Sequence, residues 1–134
     1  MSLSLIPRVR VNYTIADIFR AFFVDSNGTL RQKCVEIISD VYNGESVCLL
    51  SSSRDAIYEL LIRLPQKKVV IPSYTCMVVN EAVLLSGKEI VFVPSDLDDF
   101  NSSYQEYIDG DCIVLATHQY GLPCNIKKVV EKCK

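Results

Sequence analysis

Three short segments of this chain gather residue types able to bind or react, and each follows an apolar run. Ser51-Ser52-Ser53-Arg54-Asp55 comes after Val47-Cys48-Leu49-Leu50 and opens a helical pattern. Two chemistries are open to it. Ser52 and Asp55 have the S-x-x-D spacing of a helix cap, in which a hydroxyl takes up a free backbone N–H. The same segment also reads as an anion cradle, where helix-terminal amides, small hydroxyls and the Arg54 guanidinium would hold a phosphate. Asp55 sets a like charge beside such an anion. The second segment is Pro72-Ser73-Tyr74-Thr75-Cys76. Its proline and hydroxyls give a loop of defined shape, Tyr74 reads as packing on the core, and Cys76 sits where a helix N-terminus would acidify a thiol. The third is Thr117-His118-Gln119-Tyr120-Gly121-Leu122-Pro123. Gly121 and Pro123 make a turn, and Tyr120 is a packing candidate. His118 would ordinarily be a structural hydrogen-bonding residue, yet it stands at a strand's end, where functional groups gather.

The elements that position these segments follow from periodicity. Val47–Leu50, Val69–Ile71, Ile90–Val93 and Cys112–Ala116 are apolar throughout, as expected of parallel strands covered on both faces. Their spacing of roughly 20 residues suits a strand, a helix and two short loops. Ala56, Ile57, Leu60, Leu61 and Leu64 predict one intervening helix; Met77, Val78, Ala82, Val83 and Leu85 predict another, stopped by Gly87. The stretch from Asp96 to Gly110 is acidic and polar, with at most a short helix near Tyr104, and a last helix begins at Ile126. Upstream, Ile6-Pro7 and Val9-Arg10-Val11 suggest an extended arm, and Ile15, Ile18, Phe19, Phe22 and Phe23 have helical spacing. Ser26-Asn27-Gly28 reads as a turn. Thr29 and Gln32 then give a capping-box pattern for a helix with Leu30, Cys34, Ile37, Ile38 and Val41 on one face, ended by Asn43-Gly44. The expectation is a layered α/β fold, with residues 1–28 as an arm and helix and 29–134 as the sheet-forming part.

Composition narrows the function. With 49% hydrophobic and 22% charged residues the chain is globular in type. A net charge of −2 without a basic block argues against a nucleic-acid partner. Its apolar runs fall well short of the roughly 20 residues of a membrane helix. The six cysteines form no CxxC pair and His118 is the single histidine, so no zinc-ligand spacing exists. Cys48 and Cys112, inside apolar runs, read as buried reduced thiols of a cytoplasmic protein.

Taken in order, the three segments resemble the N-terminal part of the DegT/DnrJ/StrS family of pyridoxal-phosphate (PLP) dependent sugar aminotransferases. Ser52-Ser53-Arg54-Asp55-Ala56-Ile57 is similar to the family's S-G-T/R-A-A-L segment. Val69-Val70-Ile71-Pro72-Ser73-Tyr74-Thr75-Cys76 matches its V-x-x-P-S-F-T-F, and His118-Gln119-Tyr120-Gly121-Leu122-Pro123 its H-x-Y-G-x-P. The resemblance covers about residues 30–134, by the spacing of the units. It implies a partial three-layer α/β/α large domain of the type I aminotransferase fold, with mostly parallel strands.

By the same resemblance, the backbone at Ser52, Ser53 and Arg54 would hold the cofactor phosphate. Cys76 takes the position of an aromatic ring stacked on the cofactor, and His118 and Tyr120 would border the active site. The implied partners are a nucleotide-linked keto-sugar, an amino-acid donor and a second copy of the chain. The family's Schiff-base lysine and its aspartate for the pyridinium nitrogen lie beyond the matched region, so these 134 residues are not expected to transaminate. The first strand's partner would likewise come from later in the family's chain. Val47–Leu50 should then form an open apolar edge that promotes self-association or strand exchange.

Overall fold

Val69, Val70 and Ile71 lose all exposure to solvent, which puts their strand at the centre of the core around it. Burial of each such side chain contributes on the order of 1.5–3 kcal/mol. The computed structural model describes residues 13–23 and 28–133, which fall into two compact units dividing between Leu49 and Leu50. The expected arm, and the Ser26-Asn27 part of the expected turn, lie outside the described residues.

The N-terminal unit holds α1 (Ile15–Phe22) and α2 (Thr29–Val41). Thr14 and Asp17 close a full capping box on α1, which the sequence reading had not singled out. The box expected at Thr29 and Gln32 does not form. Gly28, at φ 77°, is the N-cap, so Thr29 is already helical, and the Gln32 amide side chain reaches Glu36 instead. The α2 terminus is as expected. Asn43 and Gly44 take left-handed φ values of 57° and 82°, and the Gly44 N–H donates to Ser39 O at 2.8 Å. That bond, with Asn43 N–H to Asp40 O, is the Schellman closure.

The second unit runs α3 (Ser53–Leu61), β1 (Lys68–Pro72), α4 (Met77–Leu85), β2 (Glu89–Val93), a 3₁₀ turn (Gln105–Tyr107), β3 (Cys112–Val114) and α5 (Ile126–Lys132). The strands are all parallel in the order β2-β1-β3, with Val69 opposite Ile90 and Ile113. Alternation along β1 splits the core in two. Val69 and Ile71 pack with Leu61 of α3 and Val83 of α4, whereas Val70 packs with Val93, Tyr104 and Val129 of α5. Helices therefore cover both faces of the sheet, which explains runs that are apolar throughout. At the amino end of β1, Lys68 pairs with Asp109 at 2.8 Å.

The expected strand at Val47–Leu50 is absent among the described residues; the segment has no regular structure, and Cys48 is exposed. A strand exists only against a neighbour, and β1 already has one on each side. The expectation of buried thiols fails with it. Cys34, Cys48, Cys76 and Cys133 are exposed, Cys112 is half-buried, and Cys124 alone is buried. All six are free.

Candidate functional site at the strand ends

The order β2-β1-β3 makes the chain leave β1 toward one side and return on the other. The gap between the carboxyl ends of β1 and β3 is therefore a topological switch point, where open α/β sheets bind ligands. A cleft of about 450 Å³ lies there, lined by Tyr74, Thr75, Cys76, Val79, Thr117, Gln119 and Tyr120. Hollows of similar volume lie elsewhere, one of about 440 Å³ beside Arg54 and Asp55, so its place at the strand ends and not its size marks it out.

Three loops build its rim. After β1, Pro72 ends the strand, Ser73 N–H donates to Val93 O at 2.7 Å, and Cys76 becomes the N-cap of α4 with an exposed thiol. After β3, Gln119-Tyr120-Gly121-Leu122 closes on a bond from Leu122 N–H to Gln119 O at 2.7 Å. Tyr120 and Gly121 stand at φ 50° and 83°, two left-handed residues in succession as in a type I′ turn. Gly121 suits that position, whereas Tyr120 is strained there. The loop after β2 supplies Phe100, also left-handed at φ 60°. Rings of Tyr74, Phe100 and Tyr120 meet with centroids 5.7–6.2 Å apart, and the Tyr74 and Tyr120 hydroxyls are hydrogen-bonded. That bond holds the Tyr120 phenol above its ordinary pKa. Tyr74 thus belongs to an exposed aromatic cluster, not to the core as expected.

Polar bonds fix the loops to one another. Gln119 donates its side-chain amide to Tyr74 O at 2.7 Å. Buried Asn101 accepts from Gln119 N–H at 3.3 Å and donates to Leu122 O at 3.4 Å. Asn101 was missed in the sequence, although its place at the end of an Asp-rich turn is the signal that could have marked it. The carboxylates of Asp96 and Asp99 accept from the backbone of Asp98 and Asn101 in the same turn. The acidity of that loop thereby serves its own fold, and no metal-ligating cluster is present among the described residues. Behind the cleft, Tyr104 accepts from Thr117 N–H at 3.2 Å, and burial raises its phenol pKa.

Of the residues expected from sequence, Cys76 and Tyr120 line this cleft, while Ser52, Ser53, Arg54 and His118 do not. His118 Nδ1 accepts from Cys124 N–H at 3.0 Å, which is the structural use first considered for it. Ser52 is the N-cap of α3 and accepts from Asp55 N–H at 3.1 Å. Arg54 lies 3.4 Å from Glu81 of α4. The Ser51 hydroxyl bonds to the Asp55 carboxylate. Hydrogen bonds from Ser51, then Ser52, hold that carboxyl below its ordinary pKa. The capping reading is realised, with a carboxylate already at the helix terminus. The residues present therefore fit a flat ring at the strand ends but not a phosphate at α3. No lysine lines the cleft.

Likeness to solved structures follows the same architecture. A Streptococcus pneumoniae protein assigned as a sugar aminotransferase, in its PLP form, superposes with a TM-score of 0.51 at 18% identity. The match covers 60% of this chain and 21% of that one. What the two share is the fold, parallel strands with helices on both faces, over a portion of that protein. An aminotransferase of Neisseria meningitidis matches at 24% identity over 63% of this chain and 25% of its own, with a TM-score of 0.47. This chain thus spans about a fifth to a quarter of those proteins' lengths. No protein-family model and no curated protein matches the chain. No described helix is long and apolar enough to cross a membrane.

Proposed function

We propose that this chain is part of a PLP-dependent aminotransferase acting on nucleotide-linked keto-sugars. In this reading it contributes the ring-side wall of the cofactor site. The observation that carries it is the cleft at the β1/β3 switch point, which holds Cys76 and Tyr120 at positions matching two of the resembled motifs. The fold likeness to a sugar aminotransferase supports the same lineage. When bound in a complete site, the cofactor would supply an electron sink for moving an amino group. The part left to this chain is to orient a ring. Tyr74 and Tyr120 would bound it on one side, and Cys76 would offer a sulfur contact where an aromatic residue is expected. Thr117 and Gln119 supply polar groups at its edge.

Pyridoxine, which has the ring but neither aldehyde nor phosphate, is the clean probe because it cannot form adducts with surface lysines. Titrated into the full chain, it should shift the amide resonances of Tyr74–Val79 and Thr117–Tyr120 saturably. Shifts spread evenly over the chain, or none in the cleft, would count against the reading. A second reading, a non-catalytic assembly module on the same scaffold, is favoured by one observation. Helix α4 leaves Met77, Leu84 and Leu85 exposed although it is apolar over most of its length. That reading predicts association indifferent to pyridoxine.

A further inference from the structure

The terminus of α3 has the parts of an anion site, yet two carboxylates of the chain itself, Asp55 and Glu81, already stand at it. Helix N-terminal amides favour negative charge, and a carboxylate in the first turn satisfies that preference as a phosphate would. Asp55, in the first turn of α3, is that carboxylate. It is held in place by the Ser51 hydroxyl, while its own N–H is tied to Ser52 Oγ at 3.1 Å. The cation of this segment, Arg54, faces Glu81 at 3.4 Å across the α3–α4 contact. A phosphate arriving here would meet two carboxylates, one of them already bonded to the Ser51 hydroxyl.

We propose that Asp55 is the resident anion of the α3 terminus, replacing a phosphate there, so that this chain binds no phosphate group through Ser52, Ser53 and Arg54. Removing the charge while keeping the shape should reopen the terminus. Asp55→Asn leaves a side chain of the same size that can still accept from Ser51, and Asp55→Ser places another small hydroxyl in the first turn.

The test is a titration of the full chain with inorganic phosphate at fixed ionic strength, followed at the Ser53 and Arg54 amide resonances. The wild-type chain should show no saturable shift. Asp55→Asn should show one, with an apparent affinity higher by about two- to fivefold, the scale expected for an exposed charge at a helix end. Asp55→Ser serves as the second variant should Asp55→Asn not fold. Saturable phosphate binding by the wild-type chain at these amides would overturn the proposal. So would folded variants that stay as silent as wild type. Inorganic phosphate carries no ring, and pyridoxine carries no phosphate. Failure at α3 and failure at the strand-end cleft are therefore read from different resonances with different probes.

Discussion

At the scale of single residues, two side chains show how burial and hydrogen bonding set the chemistry. Tyr104 is enclosed by the core, and its hydroxyl accepts from the backbone of Thr117 at the edge of the cleft. Desolvation is the main cause of its raised pKa. A phenol more weakly acidic in the folded chain stabilises fully below its ordinary pKa of 10.0. That contribution is lost as pH rises through the folded value. Tyr104→Phe should therefore lower stability at neutral pH by about 1 kcal/mol, through the unpartnered Thr117 N–H. It should also make the loss of stability above pH 10 less steep. Denaturant melts of both proteins across the alkaline range check this, and equal slopes would contradict it. Asp55 has the opposite sign. Its lowered pKa makes its contribution present above the ordinary carboxylate value and lost as acid protonates it.

At the scale of elements, the sheet is held by one strand. Truncating Ile71 to Ala should cost about 2–5 kcal/mol, because the strand is covered on both faces and the site cannot collapse. In hydrogen exchange, the amides of Val69–Ile71 should be the slowest of the chain and those of Val47–Leu50 among the fastest. Comparable protection in the two segments would show that the apolar run at 47–50 does pair. This contrast also marks what was legible in the sequence. Unbroken apolar runs announced β1, β2 and β3, although burial on both faces is complete only in β1 and Phe92 of β2 stays exposed. The same signal misled at Val47–Leu50, since a run of four apolar residues states a wish for burial and not the presence of a neighbour. Local capping was legible at Ser52-x-x-Asp55, where hydroxyl and amide are three residues apart. At Thr29 it failed, because the left-handed Gly28 starts the helix one residue earlier. The cleft was legible only in part. Cys76 and Tyr120 sit in motifs, whereas Phe100 and Asn101 reach the site from another loop, a convergence that topology creates and spacing along the chain does not show.

At the scale of the whole molecule, much apolar surface is left uncovered. In the N-terminal unit α1 exposes Ile15, Phe19 and Phe22, and α2 exposes Ile37 and Val41. In the second unit α4 does the same with Met77, Leu84 and Leu85. Exposed apolar side chains favour association, and a net charge of −2 gives little repulsion to keep copies apart. Self-association that grows with concentration is the expected behaviour. Light scattering over a wide concentration range would show it, and a monomer throughout would contradict it.

The central proposal, a strand-end cleft that takes a pyridoxine-type ring and an α3 terminus that takes no phosphate, is tested most directly by one affinity ratio. Pyridoxine and pyridoxine 5′-phosphate are titrated into the full chain, with binding followed at the amides of Cys76 and Tyr120. The account predicts saturable binding of both at the cleft with nearly equal affinity, and no movement at Ser53 and Arg54. Much tighter binding of the phosphate ester accompanied by shifts at Ser53 and Arg54, or no binding of either at the cleft, would contradict it.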